Sequence, residues 1–263
     1  MAPTTCGSGR QNDPQKEHRR PAREQGHAPS RATTLLAIGV AWTLAMTGQF
    51  VSACEDPRVV RGATSASIQE ALRGQAKEVL TFSGFSGAGY DSPAAMRKQA
   101  SAILERHNPA TTWINGGATA EGIGAVYALA KRKGFTTLGI VSSLACEKGI
   151  ALSPWVDHVF VVEDASWGGK LPGGATLAPT SQAMVDASTT YVAIGGGEIA
   201  RDEFLAARQA GKSVVFLPAE LDRRTARDKA RQQGKPPPSD FRGPLHQALF
   251  NDSPPGTTLP GSP

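Results

Sequence analysis

From Glu78 onward the chain alternates between short, uninterrupted apolar runs and longer stretches in which apolar residues recur every three or four positions. The apolar runs are Glu78–Phe82, Thr111–Ile114, Thr136–Val141, Asp157–Val162, Thr190–Ile194 and Ser213–Leu217. Runs of this length without polar alternation predict strands that are covered on both faces. Between them the period becomes helical. Pro93–Arg106 places Met96, Ala100, Ile103 and Leu104 on one face, behind Ser92 as N-cap and Pro93 at the first helical position. Gly122–Lys133 turns Ile123, Val126, Tyr127 and Ala130 inward and stops at Gly134. Further helices are predicted over Ser67–Arg73, Pro179–Ala187, Glu198–Gln209 and Arg223–Gln233, with a short helical or irregular stretch over Leu144–Leu152.

Strands alternating with helices in this order predict an α/β fold. The expected architecture is a doubly wound, Rossmann-like parallel sheet of about six strands with helices on both faces, spanning residues 76–221. Residues 55–75 read as a tether, and residues 222–263 as a polar helix followed by a Pro-rich flexible tail.

Residues 1–34 are polar and aperiodic, the pattern of a disordered segment. Residues 35–54 then carry no charge. Arg31 stands before them, Glu55 and Asp56 after. A basic flank, an apolar core and a small-residue end are the parts of a secretory signal. The end, Val51-Ser52-Ala53-Cys54, resembles the lipobox of bacterial lipoproteins. That resemblance implies acylation of Cys54 and an extracytoplasmic protein anchored to the bacterial cell membrane. An uncleaved anchor, or a cytoplasmic protein whose start is misassigned, are the alternatives.

The formal charge is +5, but residues 1–54 hold six Lys/Arg against three Asp/Glu and so supply +3 of it. The remainder is nearly neutral and shows no basic stripe interleaved with aromatics, so no nucleic-acid partner is expected. Three scattered cysteines (Cys6, Cys54, Cys146) and five scattered histidines give no ligand spacing, and no metal site or cofactor is expected.

Candidate chemistry lies at strand-to-helix junctions. Tyr191-Val-Ala-Ile-Gly-Gly-Gly-Glu198 runs a strand into Gly195, Gly196 and Gly197 and then into a helix that carries Glu198, Arg201 and Glu203. Trp113-Ile-Asn-Gly-Gly117 has the same form, with Asn115, Gly116, Gly117, Thr119, Gly122 and Gly124 around the turn. Gly84 and Gly87 follow the first strand of the domain. Glycines let backbone N–H groups approach a ligand, and a helix N-terminus favours anions. In doubly wound sheets such turns meet at the carboxyl ends of the strands. None of the turns is a Walker A sequence or a clean G-x-G-x-x-G, and no acidic residue ends the second strand to hold a ribose. Hydride transfer with a dinucleotide is therefore disfavoured. Trp167, on a glycine-rich loop, is a candidate for stacking on a base. Cys146 and His158 read as structural.

Over roughly residues 78–220 the pattern resembles the SMF/DprA–LOG superfamily, often called lysine decarboxylase-like. Its late strand ends in Gly-Gly-x-Gly-Thr-x-x-Glu. Gly196, Gly197 and Glu203 fall on the two glycines and the glutamate, while Ile199 and Ala200 replace the second Gly-Thr pair. The resemblance implies binding of nucleotide-like small molecules. In its catalytic members it implies phosphoribohydrolase activity, with Glu203 as the carboxylate and Arg201 on phosphate. It also implies a tendency to form homodimers. Three readings stay open at this point: a membrane-anchored module that binds a nucleotide or sugar phosphate, a hydrolase of N-glycosidic bonds, and a non-catalytic envelope interaction protein.

Overall fold

The computed structural model describes residues 58–250. The elements are β1 (Val59–Ala63), α1 (Ser65–Leu72), β2 (Glu78–Gly84), α2 (Pro93–Leu104), β3 (Thr112–Gly116), a 3₁₀ turn (Gly122–Gly124), α3 (Ala125–Arg132), β4 (Thr136–Ser142) and α4 (Ser143–Glu147). There follow β5 (His158–Val162), α5 (Pro179–Ala187), β6 (Thr190–Ile194), α6 (Glu198–Gln209), β7 (Ser213–Leu217), α7 (Arg223–Gln232) and α8 (Gly243–Phe250). The acylation expected at Cys54, and the segments 1–34 and 35–54, lie outside the described residues.

All strands pair in parallel in one seven-stranded sheet of order β1-β5-β4-β3-β2-β6-β7. The predicted strands form β2 to β7. The seventh, β1, comes from the stretch that reads as tether, and extends the sheet past β5 in register Val59↔Val159. Three of its five residues are exposed, so its sequence carries no buried run. The helix after it is held by a reciprocal cap between Thr64 and Ser67 and buries Ile68 and Leu72.

Two layers cover the sheet. On one face α1, α5, α6 and α8 pack together over Val79, Leu138, Ile140, Tyr191 and Ala193. On the other, α2 and α3 cover Leu80, Phe82, Ile114, Val192 and Ile194. The residues of β2 and β6 that face opposite layers alternate, as the two-residue period of a strand requires. The polar helix predicted at the C-terminal side is α7, capped by Asp222, whose carboxylate accepts the Thr225 N–H at 2.7 Å. The stretch read as flexible tail also contains α8, which buries Leu245 and Leu249 against α6. Four-residue spacing of two leucines is enough to seat one helical turn on an apolar face.

Candidate functional site

The chain begins the sheet's central run at β2, extends through β3, β4 and β5 to one side, and then crosses to place β6 on the other side of β2. Strand order therefore reverses between β2 and β6. The helix after β2 lies on one face and the helix after β6 on the other. In doubly wound sheets the crevice that takes a ligand lies at this point, beyond the carboxyl ends of the strands. The fold is doubly wound and Rossmann-like. The turn after β3, the neighbour of β2, borders the same crevice.

Most of the glycines predicted to face a ligand are instead filled by the chain itself. A Cβ at Gly84 would strike the Tyr90 hydroxyl, which donates to the Ile194 carbonyl at 2.8 Å and accepts the Phe85 N–H at 3.1 Å. At Gly116 it would lie 2.9 Å from the Tyr127 hydroxyl, which donates to Leu138 O and accepts Ala118 N–H. Burial pushes both phenols well above their ordinary pKa, so both remain neutral hydrogen-bonding struts. Gly122 has φ +57° and sits on the carbonyls of Phe85 and Ser86, while Gly124 sits on the carbonyl of Thr119. A Cβ at Gly195 would lie 2.6 Å from the Phe85 ring, and one at Gly196 2.8 Å from the Ala200 methyl. Leu245 of α8 covers Gly196 as well and donates its N–H to that carbonyl at 3.3 Å.

Three glycines remain open. Nothing lies within 4 Å of a Cβ added at Gly117 or Gly197, and at Gly87 only a Glu121 carboxylate oxygen does, at 3.9 Å. They follow β3, β6 and β2, three adjacent strands. Gly197 is the N-cap of α6 and offers no side chain to its first-turn amides. Those amides are the ones a helix cannot satisfy internally. Glu198 is exposed beside them.

The other predicted residues stand elsewhere. Thr119 folds back on its own turn, bonding Glu121 N–H at 3.3 Å. Asn115 is buried, and its amide donates to Thr81 and to the Met184 sulfur. The hollow beneath this turn has a volume of about 10 Å³, lined by Gly116, Thr119 and Tyr127 among others, enough for about one water. Arg201 turns to Asp202, with Nε 3.0 Å from its carboxylate. Cys146 packs against the buried cluster that includes Tyr127, Val141 and Ala145, and is disulfide-bonded. Trp167 is half-exposed, and His158 stacks on Trp113 with centroids 5.2 Å apart. Among the described residues no cluster of His, Cys, Asp and Glu could hold a metal, and no helix is long and apolar enough to cross a membrane.

Glu203 lies inside the protein, not in the crevice. One carboxylate oxygen accepts the Ser181 hydroxyl at 2.5 Å and the other accepts the Tyr191 hydroxyl. Burial raises its pKa to about 7, the two hydroxyl donors working against that and the neighbouring Asp202 charge adding to it. Tyr191 is in turn pushed well above its ordinary value by burial and by Glu203. Ser181 and Tyr191 escaped sequence reasoning. The burial of Glu203 was readable in principle: it falls on the helical stripe Ala200, Glu203, Phe204, Ala207, all of which are buried.

No protein-family model and no curated protein matches the chain. Solved structures similar to it include the molybdenum cofactor carrier protein from Chlamydomonas reinhardtii, 18% identical with a TM-score of 0.39, covering 60% of this chain and 85% of that one. DNA processing protein A from Streptococcus pneumoniae is 13% identical with a TM-score of 0.37, covering 66% of this chain and 61% of that one. A structural-genomics target is 17% identical with a TM-score of 0.36, covering 52% and 72%. The Rossmann-like class of the fold rests on its own strand order.

Proposed function

We propose that this domain binds a nucleotide- or sugar-phosphate-like ligand at the carboxyl ends of β2, β3 and β6. The observation that carries this reading is the open backbone at Gly87, Gly117 and Gly197, one glycine at the end of each of three adjacent strands beside the point where strand order reverses. Unobstructed peptide groups at a helix start suit an anionic oxygen cluster. The ligand lies on these turns and not in a deep cavity, since Phe85 and Leu245 already occupy the ground behind Gly195 and Gly196.

Binding is favoured over N-glycosidic hydrolysis because both oxygens of Glu203 are engaged by Ser181 and Tyr191. The test is the melting temperature of the full chain against AMP, ADP-ribose, NAD and ribose 5-phosphate. Ligand at about 100 times its dissociation constant stabilises by roughly 2.7 kcal/mol, a rise of several degrees for a domain of this size. No rise with any of the four discards the reading. Release of a free base from AMP restores the hydrolase.

Membrane anchoring through Cys54, on the outer side of a bacterial cell membrane, is a separate proposal that the lipobox supports. The test is membrane fractionation of wild type and Cys54→Ala: equal soluble distributions end the proposal.

A further inference from the structure

Between β5 and α5 the chain forms a hairpin that the reading above leaves unused. Lys170 and Leu177 pair antiparallel, Leu171 N–H donates to Thr176 O at 2.9 Å, and the tip from Leu171 to Thr176 is exposed. Its base is fixed by Asp164, whose carboxylate accepts the N–H and hydroxyl of Ser166 and the N–H of Thr180. The first hairpin strand runs along the start of α6. A Cβ at Gly168 or at Gly169 would lie 3.5 Å from the Ile199 side chain, two residues beyond the open Gly197.

The hairpin is held there by two consecutive buried carboxylates. Asp202 accepts the Lys170 N–H at 3.1 Å. Glu203 acts through Ser181, whose hydroxyl donates to it at 2.5 Å and accepts the Gly169 N–H at 2.7 Å. From the other oxygen of Glu203 the chain of hydrogen bonds continues through Tyr191 of β6 to the Ser83 hydroxyl of β2, at the carboxyl end of that strand. Two adjacent carboxylates less than a tenth exposed are costly to bury, and an apolar pair would stabilise α6 more. Their placement serves the hairpin. Trp167 and Leu171 of this segment and Ile199 of α6 are exposed apolar side chains.

Resting on the binding reading above, we propose that the Gly168–Leu177 hairpin is a lid over the Gly197 turn and that Glu203 is its positioning residue. The lid brings Leu171, with Trp167 at its base, over the uncharged body of a ligand whose anionic group sits on the backbone at Gly197, opposite Ile199 of α6. Glu203 does not touch the ligand. When ionised, it accepts from both Ser181 and Tyr191, and leaves the Ser181 oxygen to the Gly169 N–H. When protonated, it must donate to one of the two hydroxyls, and the hold on Gly169 loosens. The groups that face it are Asp202 on its own helix, which Arg201 partly neutralises, Ser181 from α5, and Tyr191 from β6 backed by Ser83 from β2.

Two readouts test this on the full chain. The first needs no ligand: hydrogen exchange of the hairpin amides in wild type and Glu203→Gln, corrected for the intrinsic rate. The expected result is protection of Gly169 about tenfold higher near pH 8 than near pH 6 in wild type, and low at both in the Gln variant, whose Nε2 must donate to one of the two hydroxyls as the protonated carboxyl does. A purely structural role predicts the reverse trend, since burial of this carboxylate makes global stability fall as pH rises. Identical profiles for the two proteins overturn the role of Glu203. The second readout is binding of AMP and ADP-ribose to wild type and to a variant with Leu171–Thr176 replaced by two glycines. A loss of about tenfold in affinity with an unchanged ligand-free melting temperature is expected, and equal affinity overturns the lid. If neither probe binds wild type, the binding reading fails while the exchange experiment still judges the latch.

Discussion

The turn after β3 and the turn after β6 look alike in sequence and differ in the fold. Each ends an apolar strand in a run of glycines before a helix. In the first, Gly116, Gly122 and Gly124 are seats for a phenol and three backbone carbonyls, and the turn encloses a hollow fit for about one water. In the second, Gly195 and Gly196 are seats for Phe85, Ala200 and Leu245, but Gly197 opens directly onto the first amides of a helix. Glycine richness therefore has two unrelated causes in one molecule. One is close packing of the chain on itself, and the other is access of something else to the backbone.

The comparison can be broken most severely at Gly122. Gly122→Ala puts a methyl onto the Phe85 and Ser86 carbonyls at a positive φ, and backbone cannot move aside as a side chain does. The expected cost is on the order of 3 kcal/mol, or roughly 10 °C in melting temperature by calorimetry. A loss below about 2 °C would mean that the β3 turn is not packed as described.

A comparable effect separates the β6 side by pH. Glu203 has a folded-state pKa of about 7 against an ordinary 4.5, so the native state holds its proton more tightly than the unfolded chain. The stability this supplies is complete below pH 4.5 and is lost as pH rises through about 7, roughly 3 kcal/mol in all. Asp164, held below its ordinary pKa by Thr180 and Ser166 against the cost of burial, acts in the opposite sense and at pH values below those of Glu203. Urea denaturation of wild type and Glu203→Gln between about pH 5 and pH 8 should show the decline only in wild type.

The smallest effect on stability is the sharpest on function. Gly117→Ala and Gly197→Ala meet nothing within 4 Å and should cost under about 1 kcal/mol each. Of the two, Gly197→Ala should abolish the ligand-induced rise in melting temperature. A rise that survives it moves the site away from the start of α6.

The strands β2 to β7 were legible because each is a buried apolar run with no competing helical period. By contrast, β1 was illegible because Arg61 and Gly62 interrupt it and its exposed edge asks for no hydrophobic face. A Pro-rich composition hid α8, although Leu245 and Leu249 stand one turn apart. At the site, the positions of the glycine turns were readable, but not which glycines are open. That depends on Tyr90, Tyr127, Phe85 and Leu245, residues that arrive from other parts of the chain. For Glu203 the resemblance implied a carboxylate at the site, whereas its place on the apolar stripe of α6 puts it inside the protein.

The pairing of β1 with β5 joins residues 59 and 159. A ribosome adds about 5–20 residues per second, so the first strand made waits roughly 5–20 s before its partner exists. Through that interval the segment that leads into the domain has no place in the sheet, while β2, β3 and β4 already have neighbours to pair with. That edge seam closes only once β5 emerges, after β2, β3 and β4 can pair with one another and before β6 and β7 extend the other side.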